Sequence, residues 1–216
     1  MVMPTDDRGH ASAIALLAVD DHLLILNGIE AVVQQSPDIC FVGGATTATE
    51  AVEQHRKLRP DVTLMDVSLP DINGIEALKR IREADPQAKV IILTTYRGDM
   101  LAVQALKAGA SGFILKSALE MELVDAVRRV HAGEKFISAE VARDIALRVD
   151  EPGLSAREVD VLKRVAAGGS NKAIGRQLEI SEQTVKGHLC RILAKLGAAD
   201  RAHAVAIAVQ RGVLCL

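Results

Sequence analysis

Asp66 ends the apolar run Val62-Thr63-Leu64-Met65, and Asp20-Asp21 end an earlier one, Ile14–Val19. If both runs are strands of a parallel sheet, their carboxyl ends form the edge where open α/β sheets bind ligands, and the usual strand order makes them neighbours. Three carboxylates gathered there repel one another unless neutralised. Mg²⁺ suits them, because it takes oxygen ligands, retains several waters and sits beside phosphate. Asp21 and Asp66 are the expected direct ligands, Asp20 acts through water, and the backbone carbonyl of Ser68 supplies a further oxygen. Thr94 closes Val90-Ile91-Ile92-Leu93 and Lys116 follows Phe113-Ile114-Leu115. On the same edge they would hold a hydroxyl and an ammonium against phosphoryl oxygens. The chemistry this set suits is transfer of a phosphoryl group to an aspartate: the Asp66 carboxylate attacks in line while Mg²⁺ and Lys116 offset charge on the equatorial oxygens. No GxxxxGK[ST] loop occurs, so the donor comes from another protein or a small molecule, and ATP is not used directly. Taken singly, each residue has a plainer reading as a solvated loop acid, a capping threonine or a surface lysine. Their joint placement on one sheet edge favours the site.

The elements that must position them follow from the hydropathy pattern. Apolar, β-prone runs recur at Ile14–Val19, Ile39–Gly43, Val62–Met65, Val90–Thr94 and Gly112–Leu115, separated by helical patterns near 23–35, 48–57, 74–83, 98–108 and 118–131. Five strand-helix alternations with short crossovers demand a parallel sheet with helices on both faces. The expected fold is therefore α/β, a five-stranded (βα)5 domain over 12–132. After it, 133–153 reads as a linker with one short helix near 139–148, ending at the breaker Glu151-Pro152-Gly153. Residues 154–216 carry no strand alternation and divide into helices near 155–167, 171–178, 182–196 and 200–211. The second domain is thus expected to be all-α, with four helices.

Composition separates the two parts further. The chain has 216 residues, 49% of them apolar, enough for two modest cores. Phe41, Phe113, Phe136 and Tyr96 are its only aromatics, so stacking on single-stranded nucleic acid is excluded as a main activity. Residues 1–133 hold 13 Lys/Arg against 18 Asp/Glu, a net −5, whereas 154–216 hold 10 against 5, a net +5. A basic tail on an acidic front points to DNA. Cys40, Cys190 and Cys215 lack the spacing of a zinc motif or a disulfide framework. No apolar run approaches 18 residues, and the N-terminus offers Asp6-Asp7 in place of a basic stretch and apolar segment. The expectation is a cytoplasmic protein with no membrane partner.

Within the tail, Ser155 and Glu158 make a capping box, and Ser170 or Asn171 and then Ser181 start the next helices. Two short helices before a longer amphipathic one form the helix-turn-helix pattern. In the long helix Val185, Leu189, Ile192, Leu193 and Leu196 keep the spacing of a core stripe. Gln183, Lys186, Gly187, Cys190 and Lys195 lie on the other side, with Thr184 near its start. Lys186 is the expected base reader. Lys172, Arg176, Arg191 and Arg201 are expected phosphate contacts.

Asp20-Asp21, Asp66, Pro70, Gly74, Thr94, Ala108-Gly109-Ala110 and Phe113 to Lys116 together resemble the receiver domain of bacterial two-component response regulators. The resemblance implies that Asp66 accepts a phosphoryl group from a sensor histidine kinase and that Thr94 and Lys116 detect it. It also implies a switch in which Thr94 turns toward the phosphate and Phe113 rotates into the space vacated, with Tyr96 gating the site. The tail, through Leu154-Ser155-Ala156-Arg157-Glu158, Ser170-Asn171-Lys172, Thr184-Val185-Lys186-Gly187-His188 and Ile192 to Gly197, resembles the LuxR-type (NarL/FixJ) DNA-binding domain. This implies binding to double-stranded promoter DNA as a homodimer when active, paired through Val205, Ala208 and Val209 on the last helix, with RNA polymerase as a further partner. Such a protein accepts phosphate and loses it slowly but is no turnover enzyme. Two other readings compete. A regulator of this shape can act without phosphate, and a haloacid-dehalogenase-like phosphatase also uses an aspartate nucleophile, although it would carry a second aspartate where Ser68 stands.

Overall fold

The computed structural model describes residues 13–95, 99–147 and 153–214. The chain divides into two compact units, residues up to Thr94 with Ala105–Ile137, and Thr95–Gln104 with Ser138–Leu216.

The first unit is built on six parallel strands, β1 (Ile14–Val19), β2 (Ile39–Ala45), β3 (Val62–Asp66), β4 (Val90–Thr94), β5 (Gly112–Leu115) and β6 (Phe136–Ile137), in the order β2-β1-β3-β4-β5-β6. Its helices are α1 (Leu23–Gln34), α2 (Ala48–Leu58), α3 (Gly74–Ala84), α4 (Asp99–Lys107), whose first residues belong to the second unit, and α5 (Leu119–His131). The strands are almost wholly apolar because helices cover both faces. Leu16, Ala18, Leu64, Ile91, Leu93 and Ile114 meet Leu26, Ile29 and Val33 of α1 and Leu123, Val127 and Val130 of α5 in one core. The α/β parallel sheet matches the expectation, but the described residues give it six strands where five were expected. β6, which pairs with β5, falls in the stretch read as linker. Two residues are too few to carry a period, so the hydropathy pattern gives no sign of it.

The chain changes direction across the sheet between β1 and β3: β2 lies outside β1 on one side, and β3 with all later strands on the other. The carboxyl ends of β1 and β3 therefore border a topological switch point, where loops diverge and leave a crevice. Asp20 follows one of these strands and Asp66 ends the other.

The second unit contains α6 (Ala139–Leu147), α7 (Ala156–Ala166), α8 (Asn171–Gln177), α9 (Glu182–Leu196) and α10 (Arg201–Gln210). Ser155 and Glu158 close a reciprocal capping box on α7, while Ser170 and Ser181 cap α8 and α9. Val161, Leu162 and Val165 of α7, Ile174 of α8, Val185, Ile192 and Leu196 of α9, and Ala204 and Ala208 of α10 share one core. Gly197 ends α9 in the left-handed region at φ 63°, which a glycine adopts without strain. Among the described residues no helix is long and apolar enough to cross a membrane.

Candidate functional site

Asp20 and Asp66 are both buried at the sheet edge, and one ammonium serves them both. Lys116 Nζ lies 2.6 Å from Asp20 Oδ2 and 2.9 Å from Asp66 Oδ2. Lys116 reaches them because β5 ends at Leu115 and a single 3-10 turn over Lys116–Ala118 leads into α5. The other Asp66 oxygen, Oδ1, accepts the Ser68 amide at 3.2 Å. Burial pushes the Asp66 carboxyl up; the Lys116 ammonium works against this, Asp20 adds to it, and the net shift is upward. Burial alone would lower Lys116, yet its bonds to Asp20 and Asp66 leave it raised. Both groups therefore hold protons more tightly than usual, Asp66 chiefly because it is buried and Lys116 because two carboxylates accept from it.

Asp21 adds a third carboxylate at the rim, and His22 closes on the pair: its Nδ1 is 2.7 Å from Asp21 Oδ1 and 3.3 Å from Asp20 Oδ1, and its amide donates to Asp20 Oδ1 at 2.9 Å. The ligating atoms of Asp20, Asp21 and His22 lie within 4.8 Å of one another. Three carboxylates against one lysine form an oxygen-rich donor set with residual negative charge, which fits a hard divalent cation. Sequence reasoning missed His22, whose only signal was its place directly after the acid pair.

Thr94 is buried at the end of β4, one residue beyond Leu93, which stands opposite Asp66 in the ladder. Phe113 is fully buried on β5 opposite Ile92, so its ring is inside the unit. Tyr96 lies outside the described residues. Gly74 shows why the β3–α3 turn needs a glycine: a Cβ there would sit 1.9 Å from the Asp66 carbonyl oxygen.

In the second unit the expected DNA-facing residues divide. Gln183, Thr184, Lys186, Cys190 and Arg191 are exposed on α9 with Gly187 half-exposed beside them, and Lys172 is exposed on α8. Lys186 meets the solvated Glu182 one turn back, at 3.4 Å. Lys195 departs from this set. Its Nζ is held 2.7 Å from the buried Glu158 Oε2 and 3.1 Å from the Gly153 carbonyl, which directs it into the unit and makes it a staple between α9 and α7. Arg201 is exposed but donates to the Gly169 carbonyl at 2.9 Å, tying α10 to the turn before α8. On α10, Ala208 is fully buried in the core, while Val205 and Val209 are half-buried against it. Arg201, Ala202, His203 and Ala206 are exposed among the described residues of the helix, so of the expected pairing stripe only Ala208 is closed off while Val205 and Val209 keep part of their surface.

Residues 16–128 match the response regulator receiver domain, and residues 152–208 match the bacterial regulatory proteins of the luxR family. The transcriptional regulatory protein YdfI of Bacillus subtilis is 34% identical over 209 residues, which cover 93% of this chain and 98% of that one. Among solved structures, the response regulator ChrA of a heme-sensing two-component system is 33% identical, with a TM-score of 0.56, covering 94% of this chain and all of the other. The complex of the response regulator RcsB with DNA is 25% identical, with a TM-score of 0.70, covering 92% and 99%. The chain belongs to the bacterial response regulators that join a receiver domain to a LuxR-type DNA-binding domain.

Proposed function

We propose that Asp66 accepts a phosphoryl group from a sensor histidine kinase and that the modified protein regulates transcription by binding promoter DNA through α8 and α9. The observation that carries this reading is the shared lysine, one ammonium between two buried carboxylates with Asp66 raised by its surroundings. A structural ion pair would be balanced, whereas this one leaves charge for a cation to meet.

Asp20, Asp21, Asp66 and the Ser68 carbonyl would hold Mg²⁺. Bound there, the ion supplies charge neutralisation for the phosphoryl oxygens. The chain's own groups do the rest. An Asp66 oxygen attacks phosphorus, the bond from phosphorus to the donor nitrogen breaks, and the donor imidazole keeps the electron pair. Lys116 then exchanges its contact with Asp66 for one with a phosphoryl oxygen. Thr94 offers its hydroxyl to another, and its turn would open space for Phe113. Leu23 and Leu24, which directly follow the acid cluster at the start of α1, are 65% and 85% exposed. Such an apolar rim suits a donor protein more than a small metabolite.

In the second unit, the exposed Lys186 and Gln183 would read base edges, with Thr184, Cys190, Arg191 and Lys172 around them. Gly187 has nothing but the tip of Arg191, at 3.8 Å, near the position a Cβ would take, so the fold does not require a glycine there. Close approach of the helix backbone to DNA would. Pairing of two copies through the open face of α10 would add the effective concentration that a single small helix-turn-helix lacks.

Incubation with acetyl phosphate and Mg²⁺ tests the reading. Wild type should become labelled and bind promoter DNA more tightly, and Asp66→Asn should do neither. Labelling that persists in Asp66→Asn, or turnover of unrelated phosphate esters, would sink it.

A further inference from the structure

Asp71 lies in the loop between β3 and α3, five residues after Asp66, and its carboxylate is bound to a different element. Oδ1 accepts the Ala48 amide at 2.9 Å, and Oδ2 accepts the Thr49 amide at 2.9 Å and the Thr49 hydroxyl at 2.7 Å. These are the first amides of α2, left without helical partners, and Thr47 satisfies the next, that of Glu50. A carboxylate on the positive end of the helix is well placed to hold them. The Thr49 hydroxyl first, and then the two amides, hold the Asp71 carboxyl far below its ordinary range, although it is exposed to water.

The loop is pinned at its base as well. Gly74 donates to the Val67 carbonyl at 2.9 Å, and its bare Cα packs on the Asp66 carbonyl. Between the base and Asp71 only Ser68, Leu69 and Pro70 intervene, and Ser68 is the residue whose amide binds Asp66. The helix receiving Asp71 is itself fixed to β3, because buried His55 sits 3.0 Å from Thr63 Oγ1 through its Nδ1. A closed ring of contacts therefore starts on β3 at Thr63, passes through His55, α2, Asp71 and Ser68, and returns to the same strand at Asp66.

We propose that Asp71 is a positioning residue of the phosphoacceptor site: by latching the loop to α2 it fixes Ser68 against Asp66 and so sets how tightly the site holds a divalent cation. This rests on the phosphoacceptor reading above. Its carboxylate is bonded to Ala48 and Thr49, so Asp71 acts through the loop.

Calorimetric titration of the full chain with Mg²⁺, together with the amide resonance of Ser68, tests the latch. Asp71→Ala should weaken Mg²⁺ by about tenfold, the low end for loss of an outer supporting residue, and should shift the Ser68 amide. Thr49→Val, which removes one of three bonds and spares the helix amides, should act in the same direction by about threefold. The double variant should be no worse than Asp71→Ala. Labelling by acetyl phosphate should slow at low Mg²⁺ and recover at high Mg²⁺. Variants that lose thermal stability while keeping wild-type Mg²⁺ affinity and an unmoved Ser68 amide would overturn the proposal and leave Asp71 as a helix cap. If Asp71→Ala fails to fold, Thr49→Val decides by the same two readouts. If wild type itself takes neither Mg²⁺ nor phosphate, the phosphoacceptor reading falls and the cation role falls with it, while the Ser68 amide still reports whether the latch holds the loop.

Discussion

Two lysines, one in each unit, meet carboxylates at nearly equal distances with opposite consequences. Lys195 meets Glu158 at 2.7 Å, and Lys116 meets Asp20 and Asp66 at 2.6 and 2.9 Å. Burial works to raise Glu158, but Lys195 and the amide and hydroxyl of Ser155 outweigh it and leave the carboxyl lowered. Around Asp66 burial prevails and the carboxyl is raised. The difference is burial first, deeper at Asp66, and stoichiometry second. Glu158 has a lysine to itself and a capping box besides, whereas Lys116 is divided between two buried acids. Distance alone does not separate a staple from a reactive site; the balance of charge does.

The sharpest way to break this comparison is to remove each lysine. Lys116→Ala should reduce phosphoryl acceptance by about a hundredfold or more, as loss of a preorganised charge partner does, measured by labelling with acetyl phosphate. Lys195→Ala should leave labelling intact and cost the second unit about 3 kcal/mol, the low end because Lys195 keeps a quarter of its exposure; denaturant unfolding reads it. Unchanged stability with a reduced salt dependence of DNA binding would return Lys195 to the DNA-facing residues.

Acidity sharpens the contrast, with a smaller effect. Glu158 is lowered from its ordinary 4.5, so its stabilisation is present above that value and lost as pH falls through the folded one. Asp66 is raised from 3.8, so its contribution is complete below that value and lost as pH rises through the folded one. Glu158→Gln should therefore unfold at a lower temperature than wild type near neutrality, with the gap closing in acid. Asp66→Asn in Mg²⁺-free buffer should gain on wild type as pH rises. Thermal scans from about pH 3 to 7, which bracket both ordinary values, check both signs.

A pair of glycines gives the smallest effects. A Cβ on Gly175 would stand 2.7 Å from the Ile180 carbonyl, so Gly175→Ala should destabilise by about 1 to 2 kcal/mol. Gly187→Ala meets only the tip of Arg191, at an ordinary 3.8 Å, and should stabilise α9 by up to about 1 kcal/mol, while weakening DNA binding in an anisotropy titration. Undiminished DNA binding would leave that glycine without a contact role.

Much of the first unit was legible because its signals are local. Unbroken apolar runs define buried parallel strands, and acids at their ends mark the edge that binds ligands. The caps Ser155, Ser170 and Ser181 were readable for the same reason, since a helix start is written in four residues. Asp71 was not legible, because its partners lie 22 and 23 residues earlier in the chain. Spacing on α10 likewise defined an apolar face without saying whether Ala208 looked out or in.

The sequence by itself determined the order of the first five strands and their helices, the carboxylates at two strand ends, the lysine that could serve them and the basic helical tail. Each is a property of neighbouring residues and their periods. Tertiary structure alone decided that one lysine is shared by two acids while another has a partner of its own, that Lys195 turns inward and that Asp71 ties a loop to a distant helix. Those outcomes depend on which groups burial brings together and how many charges compete for each partner, and no local pattern along the chain encodes that count.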